Sequence, residues 1–508
     1  MAFPSPVLLE WSEKLLDHWL SFTLLSFSLL FLLWLNRKAV NKLPPSPPKL
    51  PIIGHLHHIG KHPHRSLRAL SNKYGPLMLL QLGQQPTVVV SSAEMAKQIL
   101  KTHDINFANR PATTGSKLFL YGGKDMAFAP YGGHWRLMRK LSTQDLLSVQ
   151  KIQSFQFVRK EEMGNMVNKI KKSCSTGGEV NLSDMIMNVI NNIISRVALG
   201  KSFETESGKS AHAKLIEETM EIFGSSTVED MFPSLKWIDV LTGLDRRMKN
   251  TSKAIQQCLN EVIEEHLTAR KHNNNKQGDF RDFVDVWLDC EIDSKAGEYT
   301  RESLIAVVMN MFVAGTDTTY TALEWLMAEL IRHPEVMKKL QDEVRRVVGT
   351  KGEVDEKDIK QMDYLKCVIK ENLRLHGPAP FLLPRVSAVS NTIDGYYVPA
   401  KTKVLVNTWA ISRDPEMWDR PDEFIPERFM DKTMDYRGLN FEFIPFGAGR
   451  RICPGISFGV NSMECIIANL LYLFDWEVPK DGIDMTEVFG LSLKMKFPLR
   501  LVPTSHTF

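Results

Sequence analysis

A single cysteine offers the sharpest chemistry in this chain. Cys453 lies in the decapeptide Phe446-Gly-Ala-Gly-Arg-Arg-Ile-Cys-Pro-Gly455. A soft, anionic sulfur that must meet a large flat cofactor needs backbone able to approach closely, and Gly447, Gly449 and Gly455 carry no Cβ to obstruct it. Pro454 is suited to start a helix, and a sulfur at a helix's first turn feels the positive end of the dipole, which favours thiolate. Arg451 adds a cation nearby. The segment therefore reads as the thiolate ligand of a haem iron. The competing reading is an inert buried cysteine in a glycine-rich turn.

A polar island, Ala314-Gly315-Thr316-Asp317-Thr318-Thr319, interrupts a nearly continuous apolar stretch over 302–332. That stretch predicts one helix of about 45 Å ending before Pro334, apolar all round and hence buried. Buried Asp and Thr without partners are costly, and Gly and Thr are mediocre helix formers. Two explanations stand: the threonines back-bond to carbonyls and Asp317 pairs with a buried base, or the helix is broken there to serve a site. Weaker signals are Glu371-Asn-Leu-Arg374, an acid and base three residues apart, and Pro426-Glu-Arg-Phe429. Alone, such a pair is usually a solvated bridge worth under ~1 kcal/mol.

The elements that must position these residues read as mainly helical with a minor β component (α+β). Residues 76–92 predict two strands around Gly83-Gln-Gln-Pro86, and 392–406 further strands broken at Asp394-Gly395. The stretch from His272 to Lys276 is polar and predicts a surface loop. No internal repeat is visible. The 508 residues show no second linker-like boundary after residue 51, so 52–508 reads as one catalytic domain. A net charge of +4 and the lack of a basic stripe argue against nucleic acid as a partner. The six cysteines are scattered, which suits a reducing compartment, and the histidines form no metal-binding pattern; a lone one such as His376 reads as structural or surface.

Residues 19–35 hold no charge and are bounded by Trp19 and Trp34, as expected of one membrane span. Glu10, Glu13 and Asp17 precede it and Arg37, Lys38 and Lys42 follow, so the positive-inside rule leaves the body in the cytosol. A cleaved signal peptide is the alternative, and the acidic leader and the lack of a small-residue cleavage site speak against it. Residues 1–36 thus form a lumenal tip and anchor. Residues 37–51 form a basic stop followed by a stiff hinge with five prolines in nine residues, 43–51.

The cysteine segment resembles the ligand loop of the cytochrome P-450 superfamily, Phe-x-x-Gly-x-Arg-x-Cys-x-Gly, at Phe446, Gly449, Arg451, Cys453 and Gly455. The likeness runs from anchor to C-terminus and is nearest to plant microsomal members of the 71-type clan. It implies a triangular-prism fold with haem b buried between the central helix and the helix after Cys453. Cys453 would be the iron ligand, with Phe446, Gly447 and Gly455 against the cofactor and Trp135, Arg139, Arg385 and Arg451 at its propionates. Asp317 and Thr318 would deliver protons, while Glu371, Arg374 and Arg428 would lock the haem-side core. The substrate pocket would draw on Phe119, Leu120, Met309, Phe312, Val313, Ala314, Phe381, Leu382 and Phe489. One departure stands out: Gly377 occupies a position where the usual pattern has Pro.

The activity implied is insertion of one atom of O2 into a small lipophilic plant metabolite of terpenoid, alkaloid, coumarin or aldoxime class. Electrons would come from NADPH through a membrane-bound cytochrome P-450 reductase, with cytochrome b5 as a second candidate donor. Arg136 and Lys140 would present positive charge to that partner. The location implied is the endoplasmic reticulum membrane, single-pass, in contact with lipid. Two other functions fit the same motifs: a haem-thiolate isomerase or dehydratase that needs no external electrons, and a non-catalytic haem sensor.

Overall fold

A computed structural model describes residues 42–508 except 203, 206–207, 210, 273–280, 294–298, 431–432, 480–481 and 508, and describes Thr23 and Ser28 besides. Apart from those two positions the expected span over 19–35 lies outside the described residues, as does the polar loop from residue 273 onward. Of the expected hinge, residues 42–51 are described. They run along the body, burying Pro44 and Pro47, and Pro45 O accepts from Leu79 N at 3.0 Å.

The central helix comes in three pieces, not one. Thr300 caps it, its hydroxyl accepting from Ser303 N, and an α-helix runs over Arg301–Asn310. Met311–Thr316 then widens into a π-helical turn, and Asp317–Arg332 resumes as α-helix, stopping before Pro334, which opens the next helix. The widened turn falls on the polar island. Gly315 is the residue that lets the helix Leu182–Leu199 come close, since a Cβ there would sit 2.8 Å from Ile194 Cδ1. Around this axis pack Asp363–Leu375, Leu182–Leu199 and Ile456–Leu473, which together bury the largest apolar cluster. Among the described residues Ile456–Leu473 alone is long and apolar enough to cross a membrane, and most of it is buried in this core.

A four-stranded sheet stands to one side. Leu77–Leu82 and Gln85–Val90 pair antiparallel, Gln85–Val90 pairs parallel with Lys403–Val406, and the short edge strand Arg385–Val386 completes it. The expected strands over 76–92 and 392–406 are present. The break at Asp394-Gly395 is a tight hairpin joining Asn391–Ile393 to Tyr396–Val398, with both turn residues left-handed at φ 48° and 75°. Near the C-terminus Glu487–Phe489 and Leu493–Met495 form a second hairpin against the central helix. The six cysteines form no disulfide with one another.

Candidate active site

The loop that carries Cys453 is held by its own backbone. Cys453 N donates to Phe446 O at 3.0 Å and Gly447 N to Ile444 O at 3.0 Å. Gly447 and Gly449 are left-handed, at φ 74° and 70°, and a Cβ on Gly449 would lie 2.1 Å from Leu100 O. Glycine is therefore required at Gly449 by both conformation and space. Two expectations need correction. The helix begins at Ile456 with Gly455 as its cap, so Pro454 lies in the preceding turn and not in the first helical turn. The cation that Cys453 feels is Arg139, whose Nη1 donates to the adjacent Ile452 O at 2.6 Å, and not Arg451. Burial pushes the Cys453 thiol up, while the Gly455 amide and Arg139 pull it down.

Arg451 turns the other way. It lies over the Trp135 ring at 4.6 Å and donates to the carbonyls of Ala108, Met126 and Ala129. Trp135 Nε1 donates to Met126 O at 3.0 Å. Arg385, placed by its edge strand, donates to Asp104 Oδ1 at 2.9 Å and to Ala448 O at 3.0 Å. The structure adds Arg110, which bonds the carbonyls of Ala127, Leu383 and Pro384. Nothing local in the sequence singles it out. Burial lowers the basicity of all three guanidiniums: Arg451 falls to about 10, and Arg385 weakens both Arg110 and Arg451 further. Facing them are Asp104 and Asp125, and burial pushes the Asp125 carboxyl up toward its neutral form. A buried excess of positive charge beside a glycine-cradled thiol fits a flat cofactor bearing two carboxylates, so the donor set suits haem.

On the central helix, Ala314 is exposed and Gly315 and Thr318 half-buried, although Phe312, Val313, Thr316 and Asp317 around them are buried. These positions stay accessible although the residues beside them are buried. The helix after Cys453 approaches the same region, Gly459 lying against Thr319 Oγ1. Thr318 Oγ1 donates to Ala314 O at 2.6 Å. Asp317, 1% exposed, is engaged by the Lys494 ammonium and the Ser492 hydroxyl of the C-terminal hairpin. Back-bonded threonine, a paired aspartate and a widened helix thus coexist. The lysine and serine, some 175 positions away, carry no signal that sequence reasoning could use.

Glu371, Arg374 and Arg428 meet. Arg374 grips Glu371 with two bonds of 2.8 Å, Arg428 Nε adds a third at 3.0 Å, and both members of the first pair are fully buried. Arg374 also bonds the carbonyls of Ser412, Pro421 and Glu423, which ties the loop before Pro426–Phe429 to the helix. His376 is structural, stacked on Trp325 at 4.4 Å and bonded to Glu329 at 2.7 Å. Gly377 follows it with no left-handed twist. The apolar candidates divide. Phe119, Leu120, Met309, Phe312 and Val313 share the main core, where Phe223, unmarked by the sequence, meets Phe119 edge-on at 6.0 Å. Phe381 packs on Phe489 at 5.8 Å in a separate cluster beside the sheet, and Leu382 faces Gly447.

Known proteins resemble this chain along most of its length. The sequence profile of the family described as Cytochrome P450 matches residues 44–499. The chain is 50% identical over 459 residues to "Cytochrome P450 71A1" of Persea americana, covering 89% of this chain and 91% of that one. It is 47% identical over 481 residues to "Phenylacetaldehyde oxime monooxygenase CYP71AN24" of Prunus mume, covering 93% and 90%. Among solved structures, a zebra fish cytochrome P450 with progesterone superposes with a TM-score of 0.75 at 27% identity, over 87% of this chain and 99% of that one. A cysteine in a left-handed glycine loop, a buried arginine cluster and a widened central helix, in a chain this similar throughout, place it in the cytochrome P450 family, a plant-type oxidoreductase of the haem monooxygenase kind.

Proposed function

We propose that this enzyme inserts one atom of O2 into a small lipophilic plant specialised metabolite, with electrons supplied from NADPH by a membrane-bound flavoprotein reductase. The observation that carries the reading is the widened turn Met311–Thr316, at which Ala314 and, just beyond it, Thr318 stay accessible on an otherwise buried helix. Bound haem would supply the oxygen chemistry; Cys453 would hold its iron, Trp135, Arg139, Arg385 and Arg451 would hold its carboxylates, and Phe446, Gly447 and Gly455 would line its site. The chain's own residues shield and deliver protons. Thr318 keeps its lone pairs free while its hydrogen is held by Ala314 O, and Asp317 follows one residue before it as the carboxylate that passes protons on. The lining candidates are apolar, which suits a lipophilic substrate, and one relative is named for an oxime of phenylacetaldehyde, in keeping with the aldoxime class.

Membrane association at the endoplasmic reticulum, with the body facing the cytosol, is supported by surface as well as by the sequence of 19–42. Leu50, Ile52 and Ile53 are exposed next to Gly83, whose amide reaches Ile53 O. Gln84 N in turn donates to Met231 O at 2.8 Å, close to the exposed Trp237, Val240 and Leu241. Apolar side chains from two segments thus lie exposed near the start of the body. The test is a carbon monoxide difference spectrum on reduced membranes followed by turnover of an aldoxime, terpenoid, alkaloid and coumarin panel with reductase. A strongly red-shifted Soret band and NADPH-dependent products are expected. Products formed equally without NADPH would overturn the monooxygenase reading in favour of isomerisation or dehydration.

A further inference from the structure

The C-terminal hairpin is fastened at both ends by charge to different parts of the molecule. At its first strand the Glu487 carboxylate accepts from His64 Nε2 at 2.9 Å and Arg65 Nε at 2.6 Å, both on the helix Pro63–Tyr74. On its second strand Lys494, and in the turn before it Ser492, hold the two oxygens of Asp317, one each. Between them the backbone is clamped: Trp325 Nε1 donates to Leu493 O at 2.8 Å and Leu493 N to Pro378 O at 2.9 Å. Ser492 is buried, whereas the Lys494 side chain is 36% exposed, so the pair links an aspartate in the core to a group that solvent reaches. Glu324, seven residues on along the same helix, has its own partners in Ser183 and Tyr320, with Lys494 as a more distant charge.

We propose that Lys494 and Ser492 are positioning residues for Asp317, fixing the orientation of the proton-delivering carboxylate. The hairpin thereby couples that orientation to Phe489, which it carries toward Phe381. This rests on the reading of Asp317 given above. A carboxylate with each oxygen claimed by a separate donor has one orientation; without the ammonium, one oxygen is free to rotate or to recruit water.

The test uses the full-length protein in lipid with reductase, comparing D317N, K494M, K494R and S492A. One readout is product formed per NADPH consumed, with hydrogen peroxide measured as the alternative fate of the electrons. The other is backbone hydrogen exchange over 491–495 on the protein without turnover. K494M is expected to lower product per NADPH about tenfold at an unchanged KM, with peroxide rising to match, while K494R restores most of the coupling. S492A shifts it in the same direction by less. Exchange over 491–495 rises in both K494M and D317N. Wild-type coupling in K494M beside an uncoupled D317N would overturn the role of Lys494 and leave that of Asp317 standing. Wild-type coupling in D317N would overturn the reading of Asp317 itself and this proposal with it. Failure of K494R to rescue K494M, or unchanged exchange in both K494M and D317N, would also overturn it.

Discussion

Cys453 is half-buried, and desolvation alone makes a thiol a poor anion. What opposes that is local, the Gly455 amide and the Arg139 guanidinium, so the ligand's ionisation depends on a residue more than 300 positions away. Cys453→Ala should abolish the red-shifted carbon monoxide band outright. Arg139→Met should keep it at alkaline pH but lose it earlier on acidification: removing a charge that lowers the thiol's pKa moves the protonation midpoint upward. Titrating the band against pH in both proteins checks the sign, and a downward shift would show that Arg139 does not stabilise the thiolate. The buried pair at Glu371 obeys a different rule. Glu371→Gln leaves Arg374 and Arg428 facing a neutral group in a dry interior, and stripping one partner from such a pair costs roughly 3–5 kcal/mol. Thermal unfolding of the variant should show that loss even where no substrate is present.

At the scale of elements, the hairpin of Glu487–Met495 shows how a fold's charges report on its packing. Burial would raise the Glu487 carboxyl, but His64 and Arg65 overcome it and hold the group at about 2, well below the ordinary carboxylate range. A depressed pKa stabilises the folded state fully above the unfolded value of about 4.3 and progressively less as pH falls toward the folded one. The stability difference between wild type and Glu487→Gln should therefore be constant near neutrality and shrink below about pH 4.3. A difference that grew on acidification would contradict the pairing. None of this contact is legible in the sequence, since Glu487 and His64 are more than 400 residues apart. What was legible lies within single segments: the cysteine loop, whose glycines are set by turn geometry; the strands about Asp394-Gly395; and the apolar run over 302–332. The same run hid its π-helical turn, because a change from four- to five-residue bonding leaves hydrophobic periodicity almost unaltered. Arg110 and Lys494 were hidden for another reason: an isolated basic residue looks solvated until tertiary contacts engage it. The expected helix start at Pro454 failed by two residues, as a tight turn was needed to aim the sulfur first.

At the scale of the whole molecule, two surfaces divide the work. One is the apolar face formed by residues 50–53 and 237–241; the other is the basic surface beside the cysteine loop. There Arg136 and Lys140 are exposed, and Arg136 and Arg450 both approach Tyr131, making a small basic field over the loop that holds Cys453. Such a field would guide an acidic electron donor to the point nearest the sulfur, raising encounter rates without adding much affinity. Charge steering of this kind is screened by salt over about 10 Å at 0.1 M ionic strength. A double reversal, Arg136→Glu with Lys140→Glu, is therefore expected to slow reduction by the reductase several-fold at low salt, to leave the carbon monoxide spectrum intact, and to converge with wild type as salt is raised. Stopped-flow reduction across a salt series measures it directly. Equal rates at every ionic strength would remove these two residues from the docking face, whereas a deficit that persisted at high salt would mean that they make close contacts with the partner and do more than steer it.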